Sequence, residues 1–437
     1  MDLFLFISIL SFVLFYIWFF PLKKSSKISV YTIAEPATFS LIVLCLTAWV
    51  GTITIYFLRD GNHFNKVIDH YIKNDGLILS LVTLTVIIMT YISKLNQRVI
   101  KKINLSCSTR VTIIDWFVLS IIILILVFYL YIDGHFILRM FQASDQYAIM
   151  ALRKESTSAG SDYLFKRVVI DGIFWISLLY YYSIKKKPTS FSLFLYFTTF
   201  VFSLFLFISL KKIPLILLLL SIFLVVNYNK KLNLIKIVKL IIFFFIIMFF
   251  IYFLLIKNIN LEYMLSPFKE GLIGRIFISG ISSLYAHMEI FSNNHLGIES
   301  LSKALSNFLG INFSPRSGEI VMATVNPSWV EMGIGGTYNT LFLGEAFANF
   351  SYPGLIISIF YIAFYYFFIT RSIVLFPPSF RIPFLVYLCL NVNMMSGFND
   401  YIYNPFLVLI YLFFIFRKIL SFLFKTQKRT HTVYDDL

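Results

Sequence analysis

The stretch IVKLIIFFFIIMFFIYFLLI, residues Ile237–Ile256, decides the fold class of this chain. Its twenty residues include a single charged side chain, Lys239. A helix that crosses the hydrocarbon core of a bilayer needs about 20 mostly apolar residues, because its backbone N–H and C=O groups must be satisfied within the helix. The segment therefore has the length and composition of a transmembrane helix.

Similar apolar runs recur along the whole chain. Of its 437 residues, 59% are hydrophobic and 13% are charged, whereas about a quarter of the residues in soluble proteins are charged. We predict an all-α, polytopic helical bundle of about 11 spans, within a range of about 10–12. The predicted spans run from Leu3 to Phe20, Ala37 to Leu58, Gly76 to Ser93, Val111 to Ile132, Val168 to Ile184, Ser190 to Leu210, Ile213 to Asn227, Ile237 to Ile256, Leu355 to Thr370, Ile382 to Met395, and Tyr401 to Phe416.

The basic residues indicate which way the bundle faces. A net charge of +16 would suit nucleic-acid binding, but the lysines and arginines cluster in alternate loops. These clusters lie at residues 23–27, 94–110, 185–187, 230–236, 371–381 and 417–429. This is the positive-inside pattern of membrane proteins, so no nucleic-acid partner is predicted. It places the N-terminus outside and the C-terminus in the cytoplasm.

The same pattern divides the chain into four regions. Residues 1–256 form a membrane bundle of about eight spans, residues 257–354 form one large extracytoplasmic loop, residues 355–424 contain the last spans, and residues 425–437 form a cytoplasmic tail. The large loop has five Lys or Arg against seven Glu, a net charge of −2 that opposes the charge of the whole chain. We expect the active site in this loop.

An amphipathic helix is predicted near the start of the loop, over Gly274 to Asn294. At about 100° per residue, apolar side chains fall on one side and a narrow polar stripe lies opposite. The apolar side contains Phe277, Ile281, Leu284, Met288 and Phe291, and the stripe contains Arg275, Ser279, Ser282, Glu289 and Asn293. We expect the stripe to face water or a ligand.

Five side chains of the loop are candidate catalytic residues. Glu289, Glu345 and His287 are candidate general bases, with His287 at the edge of the polar stripe. Arg275 and Arg316 are candidate cations for a pyrophosphate leaving group. Each of them, taken singly, also fits a salt bridge or a surface charge.

Three further basic residues suit phosphate binding. Lys211 and Lys212 fall in a tight outer connection where the charge pattern expects no lysines, so either the span count is off by one or the pair binds an anion. Arg153 lies in the outer loop 133–167, and its guanidinium matches phosphate oxygens. A solvated loop that touches lipid headgroups is an equal alternative.

Cofactor chemistry has no support in the sequence. The six His are scattered, and neither a His-Glu-x-x-His motif nor a nucleotide-binding glycine motif occurs. We predict no metal and no cofactor. Intramembrane carboxylates are few, with Asp115 and Asp171 near span ends, which argues against an ion-coupled transporter.

The stretch GGTYNTLFLGEAFANFSYPG, residues 335–354, precedes the predicted span at Leu355. Together with the long late outer loop and the Ser-Leu-Lys-Lys step at residues 209–212, it resembles the Wzy-type O-antigen polymerases, or oligosaccharide repeat unit polymerases. Their pattern is a glycine-rich turn, an acidic residue and Asn-Phe-Gly-x-x-Gly. Ser351 stands where the family often has glycine, a mild departure because serine also occurs in turns.

This resemblance implies a glycosyltransferase of the bacterial inner membrane. It would join undecaprenyl-pyrophosphate-linked oligosaccharide repeat units into O-antigen or capsular polysaccharide at the periplasmic face, without metal or nucleotide. A chain-length regulator and membrane lipid are the implied partners. Gly335, Gly336, Tyr338 and Asn339 of the motif are the candidate substrate-binding residues.

Two other functions fit the same layout. An O-antigen ligase uses the same donor and a similar loop. A flippase for the lipid-linked unit is the third candidate, although such proteins have two similar bundles of spans, and no repeat is visible here.

Overall fold

The computed structural model describes most of the chain. The described residues are 10, 27–57, 75–103, 110–133, 135, 139, 142, 148, 151–152, 166–208, 212–255, 274, 277–301, 306–307, 309–331, 337–338, 340–392, 394, 397–417 and 419. The predicted first span, Leu3 to Phe20, lies almost wholly outside them.

Helices dominate the described residues. They are α1 (Val30–Ile33), α2 (Pro36–Leu44), α3 (Val50–Phe57), α4 (Asp75–Lys102), α5 (Ile113–Asp133), α6 (Trp175–Ser183), α7 (Thr189–Ile208), α8 (Lys212–Asn227), α9 (Leu234–Leu255), α10 (Ser279–Ile290), α11 (Ser317–Val325), α12 (Pro327–Glu331), α13 (Phe342–Ser372), α14 (Pro378–Asn391) and α15 (Phe398–Ile402). Two π-helical segments (Cys45–Trp49, Lys166–Phe174) and two 3₁₀ turns (Gly297–Ser300, Ile373–Leu375) accompany them.

A short two-stranded antiparallel sheet joins distant parts of the chain. Strand β1 (Lys27–Ser29) pairs antiparallel with β2 (Lys231–Asn233), with Ile28 opposite Leu232.

Six helical segments within the described residues are long and apolar enough to cross a membrane. They are Pro36–Tyr56, Gly76–Lys102, Ile113–Ile132, Thr189–Leu206, Phe342–Leu375 and Phe398–Arg417. The prediction of an all-α membrane protein is confirmed at this level. Helix α5 shows the expected surface, because Phe117, Leu124 and Phe128 point their large apolar side chains outward, where lipid would cover them.

Helix α13 is the central element, and it contains a sharp break. Ser351 has φ 60° and ψ −154°, a backbone conformation that glycine adopts at little cost. The predicted span Leu355 to Thr370 is thus the second part of a longer helix. Its first part, Phe342 to Asn349, is buried along its whole length and points Glu345 and Asn349 into the protein.

Helix α10 forms where the amphipathic helix is predicted, but it is buried on nearly every side. Glu289 is exposed as expected, whereas Ser282, Ser283 and His287 are buried. The predicted water-facing stripe is therefore wrong at Ser282. The reason is tertiary packing: α10 lies between α13 and α11 and approaches α3 closely.

Candidate functional site

An ion pair joins the large loop to the start of α13. Arg316 immediately precedes α11, and Glu345 lies in the first turn of α13. The guanidinium donates to one carboxylate oxygen, Glu345 Oε1, from Nε at 3.1 Å and from Nη2 at 2.8 Å. This two-point contact fixes the plane of the guanidinium.

The other oxygen of the same carboxylate is held by the first turn of α15. Glu345 Oε2 accepts a hydrogen bond from the backbone N–H of Asn399 at 3.0 Å. Gly397 makes this contact possible, because a Cβ at that position would collide with the Glu345 carboxylate. Glu345 is consequently oriented by two different parts of the chain.

The network continues through Ser300 to a second residue of α13. Asn399 Nδ2 donates to the carbonyl oxygen of Ser300 at 3.0 Å, and Ser300 Oγ donates to Asn349 Oδ1. Asn349 follows Glu345 by one helical turn, so both side chains lie on the same face of α13. We call Arg316, Glu345, Asn399, Ser300 and Asn349 the Arg316 cluster.

Both amides of the Arg316 cluster are only half satisfied. Asn349 Nδ2 and Asn399 Oδ1 are buried and have no hydrogen-bond partner, and the same holds for the hydroxyls of Ser317 and Thr340 nearby in sequence. Buried polar atoms are normally paired with protein or with ordered water. Because these atoms are enclosed by protein, ordered internal water is their usual partner.

Asp400 brings a second carboxylate to Arg316. Its Oδ1 lies 3.6 Å from Arg316 Nη2, and its side chain is 47% exposed, against 33% for Arg316 and 6% for Glu345. Burial tends to lower the pKa of Arg316, but the Glu345 and Asp400 carboxylates outweigh it and raise that pKa. Arg316 therefore stays cationic, with Glu345 beneath it and Asp400 beside it near the surface.

His287 is enclosed by protein. Its Nδ1 hydrogen-bonds the carbonyl oxygen of Ser283 at 2.7 Å, while its Nε2 is buried without a partner. Burial lowers the pKa of the imidazole to about 4, although the bond to Ser283 opposes this shift. The ring is therefore neutral at pH 7 and has no exposed surface.

The structure brings together some of the predicted site residues. Arg316 and Glu345 are in direct contact, and Tyr338 lies between α10 and α11, where its N–H donates to Gly318 O and its carbonyl oxygen accepts from Ser283 Oγ. Glu289 is exposed near the C-terminal end of α10. The remaining candidates, Arg275, Arg153, Lys211, Asn339, Gly335, Gly336 and the side chain of Lys212, lie outside the described residues.

Sequence reasoning missed Ser300, Asn349, Asn399 and Asp400. A signal was present for two of them: Asn399 and Asp400 form the short polar break between the last two predicted spans, and the charge pattern places that break on the same side as the large loop. Asn349 lies within the family-like motif, but its role depends on the burial of the first part of α13.

Among the described residues, no group of three or more His, Cys, Asp or Glu side chains is placed to hold a metal ion. Comparison of the chain with protein-family models, with curated proteins and with solved structures finds no match in any of the three.

Proposed function

We propose that this chain polymerises oligosaccharide repeat units carried on undecaprenyl pyrophosphate, at the periplasmic face of a bacterial inner membrane. The observation that carries the proposal is the Arg316 cluster: a guanidinium held in place by Glu345 is 33% exposed and lies beside the carboxylate of Asp400, which is 47% exposed. A glycan attached to a diphosphate has the complementary chemistry, since it offers anionic oxygens beside many hydroxyls.

The position of the cluster suits a substrate anchored in lipid. Glu345 and Asp400 each lie near the N-terminal end of a candidate membrane span, so Arg316 is close to where two spans begin. A polyprenyl chain could remain in the bilayer while its diphosphate reaches the guanidinium. The positive-inside pattern favours the extracytoplasmic side for this end of the spans.

The choice of a polymerase over other users of such a donor rests on the sequence resemblance over residues 335–354 and on the loop layout. In a polymerase the donor and the acceptor are both built from the same lipid-linked unit. A chain-length regulator would be its expected partner.

A deletion strain tests the proposal. Its surface glycan, separated on a gel, should collapse from a ladder to core carrying one repeat unit, because that unit is still flipped and ligated but never extended. Loss of even the single unit would contradict polymerase activity. In that case lipid-linked polymer accumulating in the cell would identify a ligase, and its absence would favour a flippase.

Variants of Arg316 test the site. Arg316→Ala should give the single-unit phenotype at an unchanged protein level, whereas Arg316→Lys should restore little, since an ammonium cannot reproduce the two-point contact with Glu345. A normal ladder in Arg316→Ala would exclude this cluster as the site.

A further inference from the structure

We infer that Asp400 accepts the proton of the acceptor hydroxyl in the transfer reaction. This inference rests on the proposed function and assigns one residue of the same site. Asp400 was not among the bases that the sequence suggested, since it lies in a short break between two spans and not in the large loop.

The two carboxylates that contact Arg316 differ in whether they are free to accept a proton from a substrate. Glu345 uses Oε1 for two N–H groups of Arg316 and Oε2 for the N–H of Asn399. Protonation of Glu345 would weaken contacts that orient the guanidinium. Its side chain is also 6% exposed, so a substrate hydroxyl has little access to it, and Glu345 is a positioning residue.

Asp400 has the opposite character. Its side chain is 47% exposed, and it meets Arg316 at 3.6 Å, longer than a charge-assisted hydrogen bond. Neither contact nor burial prevents it from turning toward a ligand. A diphosphate bound at Arg316 would therefore sit next to a carboxylate that remains free to accept a proton.

The transfer uses both a base and a cation near the reacting carbon. The oxygen of the acceptor hydroxyl forms a bond to the anomeric carbon of the donor glycan, and the bond from that carbon to the diphosphate oxygen breaks. The bond electrons leave with undecaprenyl pyrophosphate, whose charge Arg316 stabilises, and the hydroxyl proton moves to an oxygen of Asp400. Base and leaving-group cation must lie within one small region, because both act on the same reacting centre.

The other base candidates fit less well. His287 lies in α10 and has no exposed surface, so a substrate hydroxyl cannot reach it. Glu289 is exposed near the end of α10, whereas Asp400 contacts Arg316 directly. Glu319, in the first turn of α11, is an exposed carboxylate whose charge also acts on Arg316, and it is the matched control.

The test uses the purified full-length protein in detergent and the lipid-linked repeat unit extracted from the deletion strain. Asp400→Asn should lower kcat for elongation by about 10²–10⁴-fold with KM nearly unchanged, the effect of losing a general base. Asp400→Glu should restore part of kcat, and Glu319→Gln should behave as wild type. Thermal unfolding of Asp400→Asn should match wild type, because its contact with Arg316 is long and exposed.

The outcomes separate the two proposals. Elongation by Asp400→Asn within about tenfold of the wild-type kcat would overturn the role of Asp400 and leave the polymerase intact. A raised KM with unchanged kcat would overturn it as well, since Asp400 would then only bind. No elongation by wild type would overturn the proposed function, and the inference with it.

Discussion

Two buried carboxylates lie at opposite ends of α13, Glu345 within the helix and Glu35 packed beside it. They differ in how completely the polar groups around them are hydrogen-bonded. Near its C-terminal end, Glu35 accepts five hydrogen bonds, from the N–H groups of Ala37 and Thr38, the Thr38 hydroxyl, Asn96 Nδ2 and the Thr370 hydroxyl, at 2.7 to 3.2 Å. We call Glu35, Thr38, Asn96 and Thr370 the Glu35 cluster. Near the N-terminal end, the Arg316 cluster leaves buried donors and acceptors unused.

The difference favours the Glu35 cluster as scaffold and the Arg316 cluster as the candidate site. Asn96 also donates to the carbonyl oxygen of Tyr366 and accepts from Arg371, so it is paired at both ends of its amide. The Glu35 cluster thereby ties α2, α4 and α13 together with no capacity left for a ligand. A half-satisfied network costs stability, and the Arg316 cluster carries that cost beside a guanidinium that is only partly exposed.

The largest expected effect comes from removing Glu35. Glu35→Ala deletes the N-terminal cap of α2 and leaves the buried N–H groups of Ala37 and Thr38 without their acceptor, so the free energy of unfolding should fall by about 3–5 kcal/mol. Glu345→Ala should cost less, about 1–2 kcal/mol, because Arg316 is partly exposed and can turn to water. SDS titration of the purified proteins measures both, and equal losses would break the comparison.

The next effect is a pH dependence from His287. Its pKa is lowered to about 4 in the folded protein, from 6.5 in the unfolded chain, so the unfolded chain alone takes up the proton between these values. Stability is therefore fully present above pH 6.5 and should fall by about 3 kcal/mol at pH 4.

The control for this effect is a second histidine. His287→Leu should remove this part of the acid sensitivity, whereas the same substitution at the exposed His295 should leave it. Thermal unfolding from pH 7 to pH 4 distinguishes them, and an unchanged acid profile in His287→Leu would refute the assignment.

A single methyl group should disrupt the Arg316 cluster. In Gly397→Ala the new Cβ would collide with the Glu345 carboxylate, so Glu345 must leave either Asn399 or Arg316. We expect a loss of about 2 kcal/mol in unfolding free energy together with loss of polymer. Gly76→Ala is the matched control, since nothing lies within 4 Å of its Cβ; a normal ladder in Gly397→Ala would show that the carboxylate position is unimportant.

The smallest expected effect is a gain in stability at the break in α13. Ser351→Gly relieves a backbone conformation that costs serine about 1–3 kcal/mol, less the entropy that glycine loses on folding. A net gain of about 1 kcal/mol should appear in unfolding. Ser358→Gly, in the regular second part of the same helix, should instead destabilise; destabilisation by both would mean that Ser351 is not strained.

The break also shows how the sequence interpretation fell short. In the motif that resembles the family's, Ser351 stands where glycine is common, and the sequence suggests only a mild departure from the family pattern. The positive φ at Ser351 shows that this position has a backbone conformation typical of glycine. The predicted polar stripe of α10 is wrong at Ser282 for a related reason. Serine is small enough to pack between helices, so Ser282 and Ser283 are buried despite their hydroxyls.

The sequence by itself determined that this is a helical membrane protein, because long apolar runs leave the backbone no other way to satisfy its polar groups in lipid. It also identified Arg316 and Glu345 as two separate candidate catalytic residues. Only the tertiary structure decided that they meet, since they are 29 residues apart, and that Asn399, 54 residues beyond Glu345, completes the carboxylate's contacts. Hydropathy is a local property that a single segment carries, whereas a hydrogen-bond network exists only after distant segments have packed.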